Sequence, residues 1–311
     1  MRKAAVLCAS GIGDGLLMMI AAHHLAKAGY TPTIYHEQPE ALAPLFPSHS
    51  FSSYPPLEKL EETLAPFEKV IVENDHGERA WHLAAARDAN KLSQITFLFP
   101  TESKLFRKGD LLFNPRLPIA SNLSLACETL LGTPPSKEND LLTMEGKNFR
   151  AHEKRVVIHP TSNDPKRNWK KKQFLLLAER LKERGFFSTF CVASHEREEW
   201  KGVDIPSFPS LKEVAEYLYE SGYLIGNDSG LGHLASNLGI PTLTISGNPK
   251  RVRLWRPDWA VGIVKTLPFP LPNFKGFQLS LRENYWQRLI TVNGVIKAFE
   301  ELVDESRRHL L

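Results

Sequence analysis

Short apolar runs alternate with helical patterns from the start of the chain. In the first half, four apolar runs predict buried strands: KAAVLCAS, TPTIYHE, KVIVE and QITFLF. Residues 16–29 have the spacing of a helix, and this helix should end at Gly29. The glycine-rich segment GIGDG lies between the first strand and this helix, so we predict a tight strand-to-helix turn there.

The alternation restarts after about residue 150. Strands are predicted at KRVVIHP, FFSTFCVAS, YLIGND and PTLTIS, and helices at KKQFLLLAERLKERG, LKEVAEYLYESG and GLGHLASNLG. The last segment, ITVNGVIKAFEELVDESRRHL, predicts a closing helix, and the proline-rich LPFPLPNF before it predicts an irregular connection. Strands that alternate with helices form parallel sheets covered on both faces. We therefore predict two doubly wound α/β domains, residues 1–150 and 151–311, joined by a linker around residues 145–154.

The length and composition are those of a soluble globular protein. The chain has 311 residues, 42% hydrophobic and 24% charged, which is enough for two domains that each bury a core. Its formal net charge of +4 suits an anionic small ligand or an anionic membrane surface. This modest charge does not require a nucleic-acid partner.

Neither a membrane span nor a secretion signal is apparent. No run approaches the roughly 18 apolar residues of a transmembrane helix, and GIGDG interrupts the apolar opening where a signal peptide would be continuous. Cys8, Cys127 and Cys191 are scattered and form no C-x-x-C pair, which argues against a disulfide framework and a zinc site. We expect a cytoplasmic protein with reduced thiols.

Three strand-to-loop junctions carry the polar residues from which a site would be built: SGIGDG, HPTSNDPKRNW and GNDSGLGH. In open α/β sheets, ligands bind at the carboxyl ends of the strands. All three junctions occupy that position, so we expect the ligand contacts there.

The first junction places Asp14 near the start of a helix. The glycine spacing approaches the dinucleotide-binding fingerprint, and Glu37 lies where a ribose-binding acid belongs, but Leu16 replaces the last glycine of that motif. Two interpretations of Asp14 remain open. It is a helix-capping carboxylate that stabilises the fold by about 1 kcal/mol, or it is a catalytic carboxylate.

The second junction, HPTSNDPKRNWKKK, combines hydroxyl groups with cations in front of a predicted helix. Thr161 and Ser162 supply the hydroxyls, and five cations follow: Lys166, Arg167, Lys170, Lys171 and Lys172. Helix N-termini favour anions, and nearby cations strengthen such a site for phosphate. A Walker loop is excluded because G-x-x-x-x-G-K-[ST] is absent. We favour a phosphate site over a solvated basic patch or a nucleic-acid contact, with Lys171 and Lys172 solvated.

The third junction, GNDSGLGH, suits a hydroxyl-bearing ligand. Asp228 is a pure acceptor when ionised and matches paired hydroxyls such as those of a sugar. Ser229 and the backbone of Gly230 open the next helix toward an anion or a hydroxyl cluster. His233 lies one turn into that helix, where it either faces the ligand or is a packed structural histidine.

GYLIGNDSGLGHLASNLGIPTLTISGNP closely resembles the C-terminal signature of glycosyltransferase family 9, which includes the ADP-heptose:lipopolysaccharide heptosyltransferases. The family pattern D-[ST]-G-x-x-H-x-A-x-x-x-x-x-P is matched by Asp228, Ser229, Gly230, His233, Ala235 and Pro241. Ser236 departs from a frequent second alanine. The resemblance extends to PSLKEVAEYLYES, to the Gly13–Asp14 pair, to HPTSNDPKRNW and to ITVNGVIKAFEEL, and so covers most of the chain.

The resemblance implies an α/β fold of GT-B type, with two doubly wound Rossmann-like domains facing a central cleft. Family members bind the donor mainly with the C-terminal domain, here residues 151–311, and the acceptor with the N-terminal domain, here residues 1–150. They transfer sugar with inversion and use no catalytic metal. The resemblance therefore implies an enzyme of lipopolysaccharide biosynthesis without a cofactor.

The resemblance also assigns roles to individual residues. Asp14 matches the proposed general base. The donor-binding residues that it implies are Thr161, Ser162 and Lys166 on the diphosphate, Glu196 on the ribose, and Asp228 with Ser229, Gly230 and His233 near the sugar. One extra residue before Trp169 makes Arg167 a rival of Lys166. The loop after Gly247 reads NPKRVRLWRP where family members more often have T-x-P, and this departure bears on the sugar and acceptor specificity.

The expected partners are a nucleotide-sugar donor and an anionic glycolipid acceptor. TESKLFRKGD holds Lys104, Arg107 and Lys108, which we expect to bind that acceptor or to contact the inner face of the cytoplasmic membrane. A solvated loop is the alternative interpretation. For the whole chain, the competing hypotheses are a nonenzymatic sugar-nucleotide or polyanion binder, with Asp14 only a cap, and, less favoured, a nucleic-acid-binding protein.

Overall fold

The computed structural model of the protein describes residues 2–267 and 286–309. The chain divides into two compact units, residues 1–143 and 144–311. The sequence places its boundary at residue 150, within the linker around residues 145–154. The predicted irregular connection LPFPLPNF lies outside the described residues from Pro268 onward.

The first unit is built on a sheet of six parallel strands. These are β1 (Arg2–Leu7), β2 (Tyr30–Tyr35), β3 (Ser50–Ser52), β4 (Lys69–Glu73), β5 (Ile95–Phe99) and β6 (Leu111–Leu112). The sheet order is β3-β2-β1-β4-β5-β6. The helices are α1 (Ile12–Lys27), α2 (Pro39–Leu42), α3 (Leu60–Leu64), α4 (Glu78–Asp88) and α5 (Ile119–Leu131).

The centre of this unit follows from its apolar runs. Residues 4–7 of β1 are fully buried, because β1 is paired on both sides and covered on its faces. Residues 15–25 of α1 are buried as well, so this helix lies inside the unit rather than on its surface. Gly29 then takes a positive φ of 83° after the last turn, which confirms the predicted helix end.

The second unit contains a five-stranded parallel sheet. Its strands are β7 (His152–His159), β8 (Phe187–Phe190), β9 (Ser221–Asn227), β10 (Thr242–Ile245) and β11 (Gly262–Lys265), in the order β11-β10-β9-β7-β8. Its helices are α6 (Lys171–Lys182), α7 (Leu211–Tyr219), α8 (Gly230–Asn237), α9 (Pro249–Trp255) and α10 (Val292–Arg308). Residues 286–289 add a helical turn before α10. The core includes Val156, Trp169, Phe174, Ile225 and Phe299, all buried.

The eight longer strand predictions are confirmed, and the structure adds three strands that the pattern does not predict. β3, β6 and β11 are 3, 2 and 4 residues long. Each lies at a sheet edge, where it is paired on one side only. An edge strand of this length needs no continuous apolar run, which is why periodicity does not reveal it.

The strand order identifies one switch point in each sheet. In the first sheet the chain reverses its direction of travel between the neighbours β1 and β4, and in the second between β7 and β9. Ligands of open α/β sheets bind at such points, outside the carboxyl ends of the strands. The turns that follow β1, β4, β7 and β9 are therefore the places to look for a site. None of the described helices is both long and apolar enough to cross a membrane.

Candidate functional site

The turn between β1 and α1 is held by two carboxyl groups and a histidine. The Ala9 N–H donates to Glu73 Oε2 at 2.9 Å, and the Gly11 N–H donates to Asp14 Oδ2 at 3.1 Å. The His36 Nδ1 accepts from the Gln38 N–H at 3.0 Å, so its Nε2 carries the proton that bonds the Gly11 carbonyl at 3.1 Å. The turn is thus fixed from three directions.

Asp14 has the geometry of a helix cap. It is the third residue of α1 and its carboxylate accepts the backbone N–H of Gly11, which precedes the helix. A Cβ atom on Gly11 would lie 2.5 Å from Asp14 Oδ2, so only glycine permits this approach. Asp14 therefore makes the capping hydrogen bond that the sequence allowed. Its side chain is only partly buried. A capping carboxylate in this position remains able to take a proton.

Glu73 is a site residue that the sequence analysis missed. It ends β4, is buried to 6% exposure and lies across from the turn after β1. Burial raises the pKa of Glu73 well above its usual value, and the charges of Asp14 and Asp75 raise it further against the opposing hydrogen bond from Ala9. Glu73 therefore keeps its proton to a higher pH than an ordinary glutamate does.

A small pocket opens at this first switch point. Its lining combines apolar and polar groups from Leu7, Cys8, Tyr54, Val72, Glu73, Asp75, Arg79 and Ala80. The Tyr54 hydroxyl donates to the Cys8 carbonyl at 2.6 Å, and the guanidinium of Arg79 stacks on the Tyr54 ring at 3.5 Å. Arg79 also pairs with Glu37 at 3.2 Å. The groups present can bind a polar, hydroxyl-bearing molecule.

The basic loop after β5 is partly tied to its own unit. Arg107 pairs with Asp88 at 3.0 Å, and its Nη1 donates to the carbonyls of Lys104 and Phe106. Buried Asp110 accepts the Arg107 backbone N–H at 2.8 Å and anchors the loop. All three predicted acceptor-binding cations are exposed. Arg107 is paired with Asp88, whereas Lys104 and Lys108 form no ion pair within the described ranges.

The second switch point brings the predicted donor residues together. The Thr161 hydroxyl donates to Glu196 Oε2 at 3.0 Å, and the Ala193 N–H donates to the same oxygen at 2.9 Å. The Ser162 hydroxyl donates to Asn168 Oδ1 at 2.7 Å. Residues separated by 35 positions in the sequence, Thr161 and Glu196, are thus direct neighbours.

Asn227, the last residue of β9, holds the loop after β7 in shape. Its Nδ2 donates to the Pro160 carbonyl at 2.6 Å, and its Oδ1 accepts the Trp169 N–H at 3.0 Å. Asn227 is 2% exposed, so both bonds are made in the interior. The Trp169 indole in turn donates to the Ile290 carbonyl at 3.0 Å. The sequence analysis did not assign Asn227 a role.

Asp228 lies between two arginines. Its Oδ2 accepts from Arg251 Nε at 2.9 Å, and Arg167 Nη1 lies 3.7 Å from the same oxygen. Lys166 is exposed, and its backbone N–H is bonded to Asp164 Oδ1 at 3.0 Å. Of the two rival cations, Arg167 is therefore the one directed at Asp228. Arg251 was not predicted at all.

The helix after Asp228 presents unpaired polar atoms. Ser229 Oγ and His233 Nδ1 are buried and have no hydrogen-bond partner among the described residues. Burial lowers the pKa of His233 to about 4, against opposing effects of the Asp228 charge and a hydrogen bond with the Trp255 backbone. The imidazole is therefore neutral near pH 7, and its role is to hydrogen-bond rather than to carry charge. Gly230 begins α8 directly after Ser229.

Comparison with known families identifies one match. The family model of glycosyltransferase family 9 (heptosyltransferase) matches residues 119–265. This range contains the loop after β7, Glu196, Asp228, the helix after it and Arg251. No curated protein matches the sequence significantly.

Several solved structures share the fold over nearly the whole chain. E. coli heptosyltransferase WaaC with ADP has a TM-score of 0.66 and 16% identity, covering 97% of this chain and 100% of that chain. A glycosyltransferase family 9 protein from Veillonella parvula has a TM-score of 0.68 and 18% identity, covering 98% of each chain. E. coli ADP-heptose lps heptosyltransferase II has a TM-score of 0.66 and 15% identity, covering 98% of this chain and 100% of that chain.

These matches confirm two predictions. The chain has an α/β fold of GT-B type with two parallel sheets, and the predicted family resemblance holds over residues 119–265. At 15–18% identity the structural likeness establishes the fold, so the roles of the site residues depend on their own chemistry.

Proposed function

We propose that this chain, whose residues 119–265 belong to glycosyltransferase family 9, is a transferase that moves a sugar from a nucleoside diphosphate to an acceptor hydroxyl. We take the sugar to be heptose, the donor to be ADP-heptose and the acceptor to be of lipopolysaccharide-core type. The observation that carries the proposal is two pairs, Thr161–Glu196 and Arg167–Asp228, at strand ends that Asn227 links by its bond to the Pro160 carbonyl. Cations, hydroxyls and carboxylates in one place match the parts of a nucleotide sugar.

The second unit, residues 151–311 in the proposal, holds the donor. Arg167 and Lys166 would bind the diphosphate with Thr161 and Ser162, because arginine matches phosphate geometry through parallel N–H donors. The Glu196 carboxylate would accept the ribose hydroxyls, and Asp228 the sugar hydroxyls. Ser229, Gly230 and His233 line the same helix start, where unpaired buried Ser229 Oγ and His233 Nδ1 atoms favour a polar ligand.

The first unit, residues 1–150 in the proposal, holds the acceptor, with Asp14 as general base. The rigid turn supports this role, since a base must be held in one orientation to remove a proton in the transition state. The Gly11 N–H keeps Asp14 Oδ2 in place, which fixes the orientation of the carboxylate. A contribution of about 10²–10⁴ to the rate is typical of such a group.

The reaction is a single displacement at the anomeric carbon. The acceptor oxygen forms its bond to that carbon while the bond to the diphosphate oxygen breaks on the opposite face, so the configuration inverts. The hydroxyl proton passes to Asp14, and the bonding electrons leave with the nucleoside diphosphate. Arg167 and Lys166 stabilise the negative charge that develops on the departing phosphate, which is the role a metal has in other transferases.

The acceptor in this proposal is an anionic glycolipid at the inner membrane surface. Exposed Lys104 and Lys108 support it, since cations without an internal partner can attract an anionic headgroup. Reversing the charge of Lys104, Arg107 and Lys108 should raise the KM for the acceptor and remove its salt dependence. An unchanged acceptor KM would assign the loop to solvent.

A nucleotide-ligand screen followed by a turnover assay tests the function. A ligand at about 100 times its Kd stabilises the fold by about 2.7 kcal/mol, so ADP and ADP-heptose should raise the Tm well beyond inorganic phosphate or UDP. ADP release from ADP-heptose should then depend on a lipopolysaccharide-core acceptor. Equal shifts for ADP and phosphate would refute the donor assignment. Binding of ADP-heptose with no turnover on any acceptor would support the nonenzymatic binder.

A further inference from the structure

Two arginines from opposite neighbours of β9 meet on one carboxylate oxygen. Asp228 follows β9, Arg167 lies in the loop after β7, and Arg251 lies in α9 after β10. These three strands are adjacent in the sheet, in the order β10-β9-β7. Both arginines are directed at Oδ2 of Asp228, at 2.9 Å from Arg251 Nε and 3.7 Å from Arg167 Nη1. The cluster therefore spans the switch point rather than one loop.

The two guanidinium groups have more donors than the protein satisfies. An arginine carries five N–H donors, and Arg251 commits only Nε, to Asp228. Its two terminal nitrogens form no hydrogen bond with any described residue, although the ring of Trp255 lies 5.2 Å away. Arg167 makes ion-pair contacts at 3.7 and 4.0 Å but donates no side-chain hydrogen bond within the described part of the chain.

The charged groups around Asp228 favour an anionic ligand, as the unused N–H donors do. Of the carboxylates that the described residues place against these guanidinium groups, Asp228 is buried, whereas Asp164 is half exposed and lies 4.0 Å from Arg167 Nε. The buried Ser229 Oγ, beside Asp228 in the chain, also has no partner among described residues. An anion with several oxygen acceptors would satisfy these donors, and a diphosphate has that chemistry.

We infer that Arg251 is a second arginine ligand of the donor diphosphate, acting opposite Arg167, and that Asp228 Oδ2 is the positioning group for both. This inference rests on the proposed function, since it places a nucleoside-diphosphate sugar at the second switch point. Asp228 would then divide its two oxygens. Oδ2 orients the arginines, and Oδ1 accepts a hydroxyl of the transferred sugar.

Arg251 belongs to the part of the chain that departs from the family pattern. It lies in NPKRVRLWRP, where family members more often have T-x-P. During transfer, negative charge grows on the phosphate next to the sugar. A guanidinium already oriented by Asp228 stabilises that charge without reorganising, which lowers the barrier as well as the Kd. Arg251 would therefore contact the terminal phosphate of ADP, which AMP lacks, and should contribute more to the affinity for ADP than to the affinity for AMP.

The experiment compares two arginines of the same helix by calorimetric titration. Arg251→Gln should weaken ADP binding about 10- to 100-fold, the size expected for losing a charge-assisted phosphate contact, and should weaken AMP binding much less. Arg253 is also exposed on α9 but makes no ion pair with Asp228, so Arg253→Gln should bind ADP within about twofold of the unchanged protein. Arg251→Lys keeps the charge without the planar fork and should restore only part of the affinity.

The possible results distinguish the role of Arg251 from the proposed transferase function. If the unchanged protein binds ADP and Arg251→Gln binds it equally well, the role of Arg251 is wrong and the transferase proposal stands. If ADP fails to bind but inorganic pyrophosphate binds in an Arg251-dependent way, the anion site stands and the ADP donor is wrong. Equal losses for ADP and AMP, or a large drop in Tm, would indicate a structural role and overturn the inference. If Arg251→Gln lowers the Tm, the ADP affinity of Arg251→Lys is measured instead. An ADP affinity equal to that of the unchanged protein would then overturn the role of the planar guanidinium group.

Discussion

The two switch points have the same topology and opposite electrostatics. At the first, Glu73 at the end of β4 and Asp14 in α1 hold the turn after β1 by accepting its backbone N–H groups. At the second, Asp228 is held by the side chains of Arg167 and Arg251. One position in a parallel sheet can thus be made acidic or basic by the residues that follow its strands. The fold provides the location, and the loops provide the chemistry.

The difference predicts a division of labour. Like charges and burial at the first switch point raise the pKa of Glu73, which favours proton-holding groups and neutral hydroxyl ligands. The two guanidinium groups directed at Asp228 at the second switch point favour a phosphate. An inverting transferase needs both kinds of site, one to accept a proton and one to stabilise a leaving diphosphate. Four predictions break or sharpen this comparison, from the largest expected effect to the smallest.

The largest expected effect is at Asp14, the proposed general base at the first switch point. Asp14→Asn keeps an oxygen that accepts the Gly11 N–H but cannot take a proton, so turnover should fall by about a hundredfold or more. Stability and ADP affinity should barely change. Turnover is measured at saturating donor and acceptor. Near-normal turnover would leave Asp14 as a helix cap only, because asparagine caps about as well as aspartate.

The second switch point is tested by its two rival cations. Arg167→Ala should weaken ADP binding by about 10- to 100-fold, whereas Lys166→Ala should weaken it less, because Lys166 is exposed and Arg167 is directed at Asp228. Lys172→Ala is the control, since Lys172 lies exposed on the first turn of α6. Calorimetric titration with ADP measures all three. A larger effect at Lys166 than at Arg167 would reverse the assignment.

Asn227 anchors the loop after β7 from the end of β9, as Glu73 at the end of β4 does for the turn after β1. Asn227→Ala leaves the Pro160 carbonyl and the Trp169 N–H unpaired in the interior. The free energy of unfolding should fall by about 2 kcal/mol, as expected for losing buried hydrogen bonds. Asn163→Ala, an exposed change in the same loop, should have no measurable effect. Denaturation in urea gives both values, and equal stability of the two variants would show that Asn227 does not anchor the loop.

The raised pKa of Glu73 predicts a pH-dependent difference in stability. Above the ordinary pKa of a glutamate, the unfolded chain releases this proton while the folded protein keeps it, so the unchanged protein loses stability as pH rises toward the folded pKa. Glu73→Gln stays neutral and still accepts the Ala9 N–H, so it escapes that loss. Its stability relative to the unchanged protein should therefore grow with pH, by at most about 1.4 kcal/mol per pH unit.

Urea denaturation from pH 5 to pH 8 measures this difference. Glu78→Gln, an exposed change at the start of α4, is the control and should show a constant offset. A constant offset for Glu73→Gln as well would show that Glu73 titrates normally in the folded protein. The comparison between an acidic and a basic switch point would then lose its clearest physical difference.

Most of the fold was predictable because its central elements have strong local patterns. β1, β4, β7 and β9 each contain a short buried apolar run at their centre or end, as expected for strands covered on both faces, although β7 begins with four polar residues that are exposed or half-buried. The edge strands β3 and β6 escaped prediction because 3 and 2 residues are too few to show a pattern, and β11 (GIVK) has only two apolar residues, whereas the edge strand β8 lies in a longer apolar run. The closing helix α10 was predicted because its 17 residues show helical spacing over several turns. The helix α9 was not predicted, because seven residues span only about two turns.

The site was predictable only in part, and the division is physical. Asp14, Thr161, Ser162, Arg167 and Asp228 follow strands within short polar loops, so the chain itself shows that they lie at carboxyl ends. Glu73 ends a strand as an ordinary acidic residue, and Arg251 is one cation in a basic helix. Nothing within a few residues of either one distinguishes it.

The sequence by itself determined which segments become strands and helices, and which loops carry hydroxyls, cations and carboxylates, because those properties depend on neighbours along the chain. Only the tertiary structure decided which loops share a switch point, since that depends on the order of strands in the sheet. The β1–β4 pairing brings Glu73 to the turn of Asp14, and the β10-β9-β7 order brings Arg251 and Arg167 to Asp228. Strand order is a property of the packed whole, and no local pattern encodes it.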